Sequence, residues 1–141
     1  MRTVIQVSDA RQSGSIPPEL QWVEQTIIRA GEVRFTRGGR VENSQVNAGE
    51  WSLTAPPEEI ARLLTSLSAV DPRALRRIEP QDPPDGGGAR SIVITYADGS
   101  TLSLDFDPGV EYAGAEPILQ ALGDFAGYLE WPQDALAQIR P

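Results

Sequence analysis

The stretch Ser91-Ile92-Val93-Ile94-Thr95-Tyr96-Ala97-Asp98-Gly99-Ser100-Thr101-Leu102-Ser103-Leu104-Asp105-Phe106 decides the fold class. Two β-rich runs flank an Asp-Gly turn signal, and the apolar residues alternate on both sides. A two-residue turn would pair Ile94 with Ser103 and Ile92 with Asp105, mixing the faces. A three-residue loop with Gly99 in the left-handed position pairs Ile94 with Leu102, Ile92 with Leu104, Thr95 with Thr101 and Val93 with Ser103. One face is then apolar and the other mostly polar. Because a one-residue slip turns every side chain over, the pattern selects the three-residue loop.

Upstream, Trp22–Arg29 and Glu32–Arg37 flank Ala30-Gly31. A two-residue turn there sets Arg29 opposite Glu32, Ile28 opposite Val33 and Thr26 opposite Phe35, again with the apolar pairs on one face. Thr3–Val7 reads as a short strand and Ser8–Leu20 as a loop. Val41–Val46 and Glu50–Leu53 read as further strands around Asn47-Ala48-Gly49. Thr54-Ala55-Pro56-Pro57-Glu58-Glu59 is a helix start, with Thr54 as the expected cap, Pro in the first turn and acids at the positive end of the dipole. Ile60, Leu63, Leu64 and Leu67 then form one apolar stripe. Asp71-Pro72 is expected to open a second, short helix to Arg77, with Arg73, Arg76 and Arg77 on its solvated face. Asp107-Pro108-Gly109 is a turn. Pro117 opens a last long helix with Ile118, Leu122, Phe125 and Leu129 inward, ended by Trp131-Pro132, and Pro132–Ile139 adds a short helical piece. Within that helix Gly123 and Gly127 each cost about 1 kcal/mol relative to Ala unless close packing uses them. The expected class is α+β: a mainly antiparallel sheet, N-terminal meander plus C-terminal hairpin, with helices packed on one face.

The chain has 141 residues, a length that fits a single domain over 1–141. Glu79–Gly88, with three Pro and three Gly, is a flexible Pro/Gly loop at 79–88 rather than a domain boundary. No Cys, no His and no Lys are present; all 12 basic residues are Arg. This removes disulfide frameworks, thiol nucleophiles, zinc fingers and His-based triads from consideration. The N-terminal residues form no apolar signal-peptide core, and no apolar run approaches the ~20 residues of a membrane span, so a cytoplasmic protein is the default expectation.

Net charge is −8 and unevenly placed. Residues 1–79 carry ten Arg and ten acids; residues 80–141 carry Arg90 and Arg140 against ten acids. Such a field repels nucleic acid and anionic membranes and favours a basic protein surface or a cation. Asp105, Asp107 and Glu111 are the densest acidic group, yet their spacing departs from an EF-hand loop. A Ca²⁺ site or a carboxylate-based hydrolase built on them, with Asp98 as a further acid, remains an alternative. Gly86-Gly87-Gly88 lacks the Lys and Ser/Thr of a phosphate loop and reads as linker. Ser13 lies in no nucleophile-elbow context. The three Trp residues read as packing side chains. Tyr112, in the Gly-rich acidic loop, is the aromatic expected to be exposed, as binding anchors are. Thus no catalytic residue, metal ligand or cofactor is assigned. An acidic structural or regulatory subunit is a further alternative.

The order of features over residues 3–129 resembles that of the emfourin-type proteins, small bacterial inhibitors of thermolysin-like metalloproteases. The residues that carry the likeness are the loop Arg11-Gln12-Ser13-Gly14-Ser15, the turn within Thr26–Val33, the helix start Leu53-Thr54-Ala55-Pro56-Pro57-Glu58, the hairpin turn Tyr96-Ala97-Asp98-Gly99, and Pro117-Ile118-Leu119. This chain has Ser13-Gly14-Ser15 where the pattern has Ser-Gly-Gly, a longer insert at 80–88 and an additional C-terminal piece. The resemblance implies a non-catalytic protein-binding module that docks loops into a protease cleft. Its expected contact residues are Arg11, Ser13, Gly14, Ser15, Asp107, Glu111 and Tyr112, with no cofactor and an oligomeric state left open.

Overall fold

The computed structural model describes residues 2–14, 21–39, 48–82 and 87–136. The expected strands at 41–46 and the turn residue Asn47 lie outside them, as do Ser15 and positions 83–86 of the Pro/Gly loop. Six strands form one antiparallel sheet: β1 (Val4–Gln12), β2 (Trp22–Arg29), β3 (Glu32–Gly39), β4 (Gly49–Leu53), β6 (Ala89–Tyr96) and β7 (Thr101–Phe106). Their order is β4-β3-β2-β1-β6-β7. Between β4 and β6 the chain forms helix α1 (Pro57–Ser68) and the short strand β5 (Arg76–Ile78). After β7 come β8 (Glu111–Ala113), which pairs with β5, and helix α2 (Glu116–Ala126). The α+β class, with a mainly antiparallel sheet, is therefore correct.

Both hairpin registers are as the alternation requires. Arg29 faces Glu32, Ile28 faces Val33 and Thr26 faces Phe35. Ile94 faces Leu102 and Ile92 faces Leu104, with Gly99 at φ +88° closing the three-residue loop. Strand β1 joins the two halves, pairing with β2 on one side and β6 on the other. It runs to Gln12, correcting the expected loop from Ser8 onward. Polar residues continue the strand because both neighbours satisfy its backbone groups.

Helices α1 and α2 pack against each other, and their buried Ile60, Leu63, Leu67, Ile118, Leu122 and Phe125 share one core with the sheet. Helix α1 carries Pro in its first turn with Glu58 and Glu59, but Pro56 stands at its cap. Thr54 is not the cap. Its backbone is committed to a two-bond bridge with Glu130, at 3.1 and 2.7 Å, and the helix begins three residues later. At the other end, the Ser68 hydroxyl accepts from the amide of Val4 (2.9 Å) and donates to the Leu64 carbonyl (2.7 Å). This pins α1 to the start of β1, where a bulge between Val4 and Gln6 shifts the ladder with β6.

The expected helix over Asp71–Arg77 is instead a single 3₁₀ turn, Pro72–Ala74, followed by β5. The amide and side chain of Arg73 bind the carboxylate of Asp71, which lies below its usual pKa as a result. The chain then leaves the turn extended at Leu75 and enters β5.

Two glycines at nearly equal positive φ give a controlled comparison. Gly99 (φ +88°) has open space where a Cβ would stand, whereas at Gly114 (φ +83°) that Cβ would sit 2.6 Å from the Ala74 carbonyl oxygen. Gly99→Ala should cost only the left-handed penalty, about 1 kcal/mol. Gly114→Ala should cost at least about 2 kcal/mol, because the β5–β8 pair must also shift. Urea unfolding of the two variants checks this; equal losses would refute the close approach.

Candidate functional site

The helix-bearing face of the sheet changes character along the strands. One row runs Leu53, Val33, Ile28, Val7, Ile94, Leu102 from edge to edge. The next is Trp51, Phe35, Thr26, Asp9, Ile92, Leu104. The third is Arg37, Glu24, Arg11, Arg90, Phe106. So the apolar floor ends in charges set side by side across four strands.

These charges are paired and largely withdrawn from water. Arg90 grips Asp9 through two hydrogen bonds of 2.8 and 2.7 Å, and the Asp9 side chain is only 13% exposed. Arg37, 9% exposed, bonds Glu24 at 3.0 Å and lies 5.1 Å from the Trp22 ring centre. Among the described residues its buried Nε finds no hydrogen-bond partner. Arg11 differs. It is half exposed, and the Asp9 carboxylate with which it pairs is 3.6 Å away, beyond hydrogen-bond range.

The two loops expected to make contacts meet at this end of the sheet. Ser13 closes the β1–β2 end reciprocally: its amide donates to the Trp22 carbonyl and its hydroxyl accepts from the Trp22 amide, both at 3.0 Å. Gly14 presses on Gly87 so closely that an added Cβ would lie 2.3 Å from the Gly87 oxygen. Gly87 in turn faces Pro108. Arg11, Trp22, Asp107 and Pro108 line one cleft of about 410 Å³.

Asp107 accepts a 2.9 Å hydrogen bond from Arg77. The same guanidinium binds Glu79, the Asp105 carbonyl and the Tyr112 hydroxyl. Glu79, then Asp107 and Tyr112, push its pKa further upward. Arg77 thus ties β5, β7 and the Asp107 turn together, and is not the free helix-face cation expected. Tyr112 is half-buried rather than exposed. Its ring meets Phe106 edge-on at 5.0 Å, and its hydroxyl accepts from the Asp105 amide at 3.0 Å. Glu111 is exposed on β8. Asp105 accepts from Ser91 at 2.9 Å. Among the described residues no three acidic side chains gather as a metal site would require.

Sequence reasoning passed over Asp9, Glu24, Arg37 and Arg90. A signal existed: each extends an inward alternation by two or four residues, as in Val7-x-Asp9-x-Arg11 and Phe35-x-Arg37. Trp51 and Trp131 both pack on Phe35, at 6.5 and 4.9 Å between ring centres. No helix among the described residues is long and apolar enough to cross a membrane. Comparison with protein-family models, curated proteins and solved structures finds no match.

Proposed function

We propose that the chain is a non-catalytic protein-binding module whose contact surface is the loop-bearing end of the sheet. The observation that supports this reading is the meeting of the Arg11–Gly14 and Asp107–Gly109 segments around one cleft, although they lie far apart in sequence. Each is held before any partner arrives, the first by Ser13 on Trp22 and the second by Arg77 on Asp107. Preorganised loops lose little entropy on docking, which favours tight association. The resemblance in layout points to a thermolysin-like metalloprotease as the partner, with these loops entering its cleft. In this reading Arg11, Gly14 and Asp107 make the contacts, with Tyr112 supporting them from within.

Titration against a thermolysin-like protease tests the specific reading. Inhibition is expected at micromolar protein or below, weakened about tenfold by Gly14→Ala, which would force the two loops apart. Undiminished protease activity at saturating protein would remove the metalloprotease from the proposal.

A further inference from the structure

The six-stranded sheet ends in two edges, and they are finished differently. Beyond β4, Thr54 exchanges two backbone bonds with Glu130, and Pro132 follows with no N–H to offer a further strand. The other edge is β7, which pairs with β6 alone. Its phase is set at the hairpin. Tyr96 donates to the Ser100 carbonyl at 2.9 Å, so Ser100, Leu102 and Leu104 turn their backbone groups to β6. Thr101, Ser103 and Asp105 turn theirs outward. At Asp105 both outward groups are taken: the amide donates to the Tyr112 hydroxyl at 3.0 Å, and the carbonyl accepts from Arg77 at 2.8 Å. The outward groups of Thr101 and Ser103 have no partner among the described residues, and both residues are exposed. The run Thr101-Leu102-Ser103-Leu104 carries no charge, no proline and no bulge, the devices that usually blunt an edge.

This edge is complementary to itself. A second, antiparallel copy about a two-fold axis at Leu102 sets each Thr101 opposite the other copy's Ser103, and each such pair exchanges N–H···O bonds in both directions. Leu102 then meets Leu102 on the helix-bearing face, where it already packs against the core. The Thr101 and Ser103 hydroxyls face each other on the open side, a favourable cross-strand pair. An axis at Ser103 or Leu104 would instead set Thr101 or Ser103 against Asp105, whose backbone groups Tyr112 and Arg77 already hold. These two side chains are a stop that leaves one fully bonded register. We infer that the chain forms a two-fold dimer through β7, the sheet of one copy continuing into the next with Leu102 on the axis. This contact is distinct from the loop-end surface, and its test involves no protease.

Sedimentation equilibrium of the full chain tests this. A monomer–dimer equilibrium is expected below millimolar protein, shifted toward dimer by added salt, because each copy carries −8. Ser103→Pro removes an outward N–H that β6 does not use, so the variant should fold as the parent does and sediment as a monomer. Cross-linking reads the register. The chain has no cysteine of its own. Residues facing each other in a non-hydrogen-bonded antiparallel pair stand about 4.5 Å apart between Cα atoms, within disulfide range. Leu102→Cys should therefore oxidise to a covalent dimer at least about tenfold faster than Ser103→Cys, although Ser103 is the more exposed. A parent chain that stays monomeric up to millimolar protein in high salt overturns the inference. So does a folded Ser103→Pro variant that dimerises as before, or a Ser103→Cys variant that cross-links as fast as Leu102→Cys.

Discussion

Leu67→Ala should lower the free energy of unfolding by about 3 kcal/mol, within the range seen when a fully buried leucine leaves a cavity. Leu67 is 0% exposed, in the last turn of α1, among the core residues shared by both helices and the sheet. The surroundings have little freedom to collapse into the space. Ser68, the next residue, holds the last turn of α1 on the Val4 amide. The helix therefore cannot slide inward without giving up that bond. Against a typical total of about 5–15 kcal/mol, this loss would bring a marginal domain near its limit. Leu64, on the same stripe but only half-buried, supplies the contrast: Leu64→Ala should cost about 1 kcal/mol. Chemical denaturation monitored by tryptophan fluorescence measures both. Similar values for the two variants would mean that α1 does not present this face to the core.

The second large effect is expected at Asp9, and it should be unequal between the partners of its ion pair. Arg11 and Arg90 stand directly opposite each other in the β1–β6 ladder, and Asp9 lies within reach of both. Asp9→Ala would leave two facing guanidiniums with no anion between them, one of them three-quarters withdrawn from water. Removing one partner of a fully buried pair costs about 3–5 kcal/mol; partial exposure here reduces that to about 2 kcal/mol. Arg90→Ala should cost only about 1 kcal/mol, because Arg11 needs a small rotation to replace the lost cation. Unfolding measurements on the two single variants and the double variant read the asymmetry directly. If Arg90→Ala proves as costly as Asp9→Ala, Arg11 is not able to stand in.

Period-two alternation explains why both hairpins were legible in residue order while other elements were not. In Ser91–Phe106 and Trp22–Arg37 a slip by one position exposes every apolar side chain, so only one register buries them. The helix stripes carried the same kind of information. Strand β1 beyond Val7 continued the alternation only through the charged Asp9 and Arg11, which offer no apolar period; these residues are a strand because β2 and β6 lie on either side. Likewise β5 is three exposed residues made a strand only by β8. The loops of the candidate site were recognisable by composition, but their meeting was not. Nor was the contact of Asp9 with Arg90, which are 81 positions apart. Burial by tertiary contact also misled the expectation for Tyr112, whose acidic, Gly-rich neighbours suggested exposure.

Placing the first strand at the centre of the sheet has a consequence for biosynthesis. β1 leaves the ribosome before its two neighbours and can pair with β2 as soon as that strand follows, yet its other side waits for β6, which begins at Ala89. At about 5–20 residues per second that interval lasts on the order of ten seconds. Throughout it, the future middle of the sheet is an unpaired edge on a nascent chain, the kind of edge that recruits neighbouring polypeptides. The polar side chains Gln6, Ser8, Asp9, Arg11 and Gln12 guard that edge, as charged gatekeepers do elsewhere. The polarity that makes β1 look like a loop thus protects it until its last partner is made.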